Sequence, residues 1–91
     1  MKTLSDFKKR LHIGCKLQGI RYGYMGNNDI DLGIREVGHI QSNSFAFKTD
    51  RNTLSWCEFP KAANCNIEEH SITIFQENKG LRLPILKYTF V

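Results

Sequence analysis

From Cys15 onward the chain is a succession of short segments in which apolar and polar residues alternate: CKLQGIRYGYM from Cys15, FAFKT from Phe45, TLSWCEF from Thr53, SITIF from Ser71 and KYTFV from Lys87. A period of two is the mark of strands with one face toward a core and the other toward water. The opening segment, LSDFKKRLHIG, reads differently. Leu4, Phe7 and Leu11 recur at spacings of three and four, which gathers them on one helical face and turns Lys8, Lys9 and Arg10 toward solvent. Thr3-Leu4-Ser5-Asp6 is a start signal, because a hydroxyl at the N-cap and a carboxylate three residues later satisfy each other's free N–H groups. Gly14 predicts the stop. A helix of about two to three turns is not stable alone, so its apolar face is expected to dock on the sheet.

The alternating part divides at its turn residues. Leu17, Ile20, Tyr22 and Tyr24 predict a first strand with a bulge at Gly19, ended by Met25-Gly26-Asn27-Asn28-Asp29. A second strand is expected from about Gly33 to Gln41, where Ile34, Val37 and Ile40 break strict alternation and call for a bulge near Gly38. Ser42-Asn43-Ser44 and Thr49-Asp50-Arg51-Asn52 are turns around two further strands. Phe59 to Asn64 predicts a crossover with one turn of helix, since Pro60 has no N–H for a ladder. The last hairpin pairs Ser71–Phe75 with Leu81–Val91 and places Pro84 at an edge or bulge.

These elements predict an α+β, mainly β domain: a short N-terminal helix, then a five- or six-stranded antiparallel meander curled into a small SH3-like or OB-like barrel. Residues 1–91 form one domain, with 1–14 as a helical lid and 15–91 as the sheet. Phe45, Phe47, Trp56, Ile72 and Ile74 are the expected core. A 91-residue chain buries only about 60–65% of its unfolded surface, which leaves little room for a deep substrate cavity.

No apolar run reaches the length of a membrane-spanning helix, and charges interrupt the first residues where a secretory segment would be apolar, so the expected compartment is the cytoplasm and no membrane partner is expected. Three cysteines, Cys15, Cys57 and Cys65, are an odd number and point to free, buried thiols.

Net charge is +4, distributed in blocks. Residues 1–27 carry +5, residues 28–77 carry −4 and residues 78–91 carry +3. In an up-and-down sheet the first and last strands can lie side by side, so the basic ends form one face and the acidic middle another, an arrangement suited to oriented binding.

The order LSDFKKRLHIG, REVGHIQSNSFAFKT, SWCEFPKA, from Leu4 to Ala62, resembles small uncharacterised proteins of phages and conjugative elements. The resemblance implies a mobile-element context and targets among nucleic acids or host defence machinery. It transfers no functional residue.

Reaction chemistry is thinly represented. The nearest cysteines, Cys57 and Cys65, lack the C-x2-C spacing of a zinc knuckle, and His12, His39 and His70 are scattered, so no metal site is expected. Cys57 beside Trp56 sits in an apolar strand that keeps a thiol inert, and Ser42 and Ser44 have no nucleophile elbow. No phosphate-cradling glycine motif occurs. The chain is therefore read as a non-enzyme without catalytic residues or cofactors, a binding module.

Nucleic acid, free or in a nucleoprotein, is the expected partner. Lys8, Lys9 and Arg10 form a cationic patch, Arg21-Tyr22-Gly23-Tyr24 interleaves charge with aromatic rings, and Lys16 and Lys87 add charge along the terminal strands. The alternative is an inhibitor or adaptor that docks on a host protein such as a defence nuclease, in the manner of anti-CRISPR or anti-restriction proteins. It would use the loops of the acidic middle, with Asp29, Asp31, Glu68 and Glu69.

Overall fold

Thr3 starts the helix α1 (Leu4–Arg10) through the reciprocal cap its sequence spells. Its hydroxyl accepts from the Asp6 N–H at 3.2 Å, and the Asp6 carboxylate accepts from the N–H groups of Lys2 and Thr3 at 2.8 and 3.1 Å. Those two backbone donors hold the Asp6 carboxyl below the usual carboxylate range. Leu11 is already extended, so the helix ends short of the expected stop, and Gly14 instead turns the chain into the sheet at φ +96°.

The computed structural model describes residues 1–91 and arranges the rest as seven strands: β1 (Lys16–Arg21), β2 (Ile30–Ile40), β3 (Ser44–Lys48), β4 (Leu54–Glu58), β5 (Cys65–Ile67), β6 (Ser71–Asn78) and β7 (Leu81–Phe90). They form one antiparallel sheet in the order β4-β3-β2-β1-β7-β6-β5. Two meanders are thus joined along β1 and β7, the side-by-side placement of first and last strands that the up-and-down reading allows.

Two expectations need correction. The strand count is seven rather than five or six, and the sheet is not closed into a barrel, because β4 and β5 are its two free edges. The missed strand, β5, has only three residues, too few for a period of two to register. The connection between β4 and β5 holds Pro60 and a 3-10 turn at Ala62–Asn64, and a proline lacks the N–H that a continuing ladder needs.

Local chemistry sets the remaining boundaries. The first strand ends at Arg21, so Tyr22 and Tyr24 lie beyond it in a loop where the Gly23 N–H donates to the Asp29 carboxylate at 2.7 Å. The β1–β2 register slips beside Gly19, as expected, but the extra residue is Leu32 on β2. The second slip falls at Gly38, as the broken alternation of β2 predicts. The β6–β7 hairpin closes at Lys79-Gly80 with φ of 51° and 79°, a pair of left-handed residues that suits a two-residue turn. Its strands therefore extend to Asn78 and back from Leu81. Pro84 flanks the bulge that leaves Ile85 unmatched.

The curled sheet buries Leu17, Val37, Phe45, Phe47, Ile72 and Tyr88 on its concave side, under Phe7 of the helix and Leu11 just past its end. Phe7 packs edge-on against Phe45 and Phe59 and beside Phe90, with ring centroids 5.6–6.5 Å apart. Gly19 faces the Tyr88 ring, where a Cβ would come within 3.2 Å. Ile74 is half-buried against this cluster. Trp56 departs from expectation: it is 46% exposed. In the β4 register Ser55 and Cys57 lie opposite Phe47 and Phe45, while Trp56 lies opposite Ala46 and stacks edge-on with His39 on the convex side.

Candidate nucleic-acid interface

The sequence-predicted binding residues fall into three separate places. Lys8, Lys9 and Arg10 are exposed on the helix, yet two of them are engaged. The Lys8 ammonium sits 4.8 Å from the Phe59 ring centre. Arg10 lies 4.3 Å over Phe90 and donates to the Glu69 carbonyl at 3.1 Å, with His70 Nδ1 3.0 Å away. These contacts pin the helix to the sheet. Lys16 and Lys87 project from the convex side: Lys16 stands opposite Glu36, and Lys87 stands between Ile20 and Thr73.

Arg21 belongs to the concave side, because strand alternation aligns it with Gly19 and Leu17 and sets it opposite Leu86. At this end of β1 no helix covers the sheet. Arg21, Tyr22 and Tyr24 instead line a cleft of about 510 Å³ against Gln76 and Asn78 of β6 and the Leu83–Leu86 segment of β7. The Tyr22 N–H donates to the Ile85 carbonyl at 3.0 Å and fixes the loop to the hairpin. Tyr24 is 51% exposed, so its ring face is open.

Arg21 also borders a second cleft of about 470 Å³, bounded by β4 on one side and by β6 and β7 on the other. This is the part of the sheet interior that an unclosed sheet leaves accessible. Arg35 and Tyr88 form part of its wall, Lys61 and Glu58 stand among its lining residues, and Phe59 separates it from the helix-covered core. The Lys48–Glu36 ion pair spans 2.6 Å, and His70 Nε2 lies 3.8 Å from the Glu69 carboxylate. Arg21, Arg35 and Lys61 have no carboxylate within pairing distance. Arg35 lies 4.2 Å over the Phe47 ring, which holds the guanidinium in place while leaving its charge uncompensated. Burial drives the Tyr88 phenol well above its ordinary value, with the Cys57 Sγ at 3.4 Å adding to the rise and Arg35 opposing it. Tyr88 is consequently a neutral hydroxyl at physiological pH.

Sequence reasoning missed Arg35, Lys61, Gln76 and Asn78. Arg35 and Lys61 belong to the block with net negative charge, where a tally along the chain hides them. Only the strand register places Arg35 opposite Leu17, on the concave side. Two of the acidic residues are committed to backbone donors: Asp29, in the loop before β2, accepts from Gly23, and Asp31, which lies in β2 rather than in a loop, accepts from Gly33.

No group of three or more His, Cys, Asp and Glu side chains is arranged to hold a metal ion. His12 Nδ1 lies 3.1 Å from the Arg10 carbonyl. The lining of the two clefts offers cations, ring faces, amides and a neutral phenol, groups that recognise ligands. No helix is long and apolar enough to cross a membrane. Comparison with protein families, with curated proteins and with solved structures finds no match for this chain.

Proposed function

We propose that this protein is a non-enzymatic binding module whose ligand is nucleic acid, free or within a nucleoprotein. The observation that carries the reading is the gathering of Arg21, Tyr22 and Tyr24 in one open cleft with the amides of Gln76 and Asn78. Aromatic faces beside an unpaired guanidinium suit bases and phosphates together. The mobile-element context implied by the sequence resemblance fits such a role, as does action in the cytoplasm.

Fluorescence anisotropy with labelled single-stranded and duplex oligonucleotides tests the reading. With about three phosphates neutralised on a single strand, affinity is expected to fall about 20-fold between 50 and 200 mM salt. Absence of binding to either form at 50 mM salt rules the proposal out.

One observation favours a protein partner instead, an inhibitor or adaptor acting on a host defence nuclease. The free edge β4 carries Leu54 and Trp56, 43% and 46% exposed, and an unpaired edge with apolar side chains is a template for a partner strand. If this reading holds, Trp56→Ala abolishes capture of the host protein while oligonucleotide affinity stays at zero.

A further inference from the structure

We infer that the two clefts are one continuous track for a single strand of nucleic acid, with Arg21 as the hinge point between a base-stacking half and a phosphate-binding half. This deepens the nucleic-acid reading and rests on it. Arg21, Ile85 and Leu86 line both clefts, so the two adjoin along these residues. The first half offers the exposed Tyr24 ring, the half-buried Tyr22 ring and the amides of Gln76 and Asn78, whose donors and acceptors match those of base edges. The second half offers Arg35 and Lys61 against the single carboxylate of Glu58.

One feature selects a single strand over a duplex: ring stacking needs exposed base faces, and in a duplex those faces are covered by neighbouring bases. An acidic peptide would also satisfy Arg21, Arg35 and Lys61, and competition by oligoglutamate separates the two ligands.

The test titrates labelled 12-nucleotide single strands and a 12-base-pair duplex into wild type, Tyr24→Ala, Lys61→Gln and a Lys8→Gln/Lys9→Gln double variant, with circular dichroism and melting curves confirming that each folds. Tyr24 and Lys61 are both exposed, so neither change removes core packing. The track predicts that Tyr24→Ala weakens single-strand binding about fivefold or more. Lys61→Gln lowers the salt slope by about 0.7, and the helix double variant changes little. Wild type is expected to prefer the single strand over the duplex at least tenfold. Equal affinity for duplex, loss of binding only in the helix variant, or full competition by oligoglutamate overturns the track. The first two outcomes leave nucleic-acid binding standing. Failure of wild type to bind any oligonucleotide removes both.

Discussion

The two ends of β1 are built from the same sheet and have opposite fates. At the Lys16 end, Leu17 and its neighbour Phe90 are covered by Phe7 of α1 and by Leu11 just past it, and three phenylalanine rings close around Phe7. At the Arg21 end no element covers the concave side, and Arg21, Tyr22 and Leu86 line a cleft. The cations follow the same division. Lys8 and Arg10 rest on aromatic rings and lock the helix down, whereas Arg21 and Lys61 have no partner. One seven-residue helix covers one end of the curled sheet and does not reach the other. A sheet that stops short of closure can therefore place core and binding surface on the same side of the same strands.

The strongest way to break this comparison is Phe7→Ala. Removing a fully buried ring beneath three others is expected to cost about 3–5 kcal/mol, a large part of the roughly 5–15 kcal/mol that holds a small domain together. Tyr24→Ala at the open end should change stability by no more than about 0.5 kcal/mol. Melting curves that shift equally for the two variants would show that the ends are not different in kind.

Gly23→Ala probes the open end's framework. A Cβ on Gly23 would collide with the Asn27 backbone carbonyl, so the loop holding Tyr22 and Tyr24 must move. The expected result is loss of oligonucleotide affinity with amide-exchange protection of β1 and β7 unchanged; retained affinity would detach that loop from function.

Trp56→Ala is expected to cost about 1 kcal/mol, since an edge-on aromatic pair and a half-exposed ring are at stake. A loss comparable to that of Phe7→Ala, read from chemical denaturation, would place Trp56 in the core after all.

The smallest effect is a pH dependence at the closed end. The folded pKa of Asp6 is depressed by the backbone donors of Lys2 and Thr3, and that of Glu36 by Lys48. Each thus contributes stability that is present above the ordinary carboxylate value near pH 4 and lost as pH falls through the lower folded value. Melting temperature should drop on acidification below about pH 4, and Asp6→Asn should flatten part of that drop. An unchanged profile would show that the cap does not hold the plug.

Much of this was readable from residues in order. The capping box at Thr3 and Asp6, the bulge at Gly38 and the bulge beside Pro84 are local, each decided within a few positions, and the structure has them where the sequence puts them. The errors have a common origin. Alternation gives Trp56 and Cys57 opposite faces without saying which is inside, and Phe45 and Phe47 make that choice across the β3–β4 ladder. Lys8 and Arg10 looked like free cations because Phe59 and Phe90, their resting places, are far away in sequence. Arg35 was hidden in an acidic block for the same reason.

The sequence by itself determined the mainly β class, the helix with its cap, and most of the strands and turns, because periodicity, capping and glycine or proline chemistry act over a few residues. Only the tertiary structure decided that the sheet stays open, which side of β4 faces inward, and which cations remain unpaired. Those outcomes depend on pairing between residues dozens of positions apart, where the energy lies in packing and register rather than in any local preference.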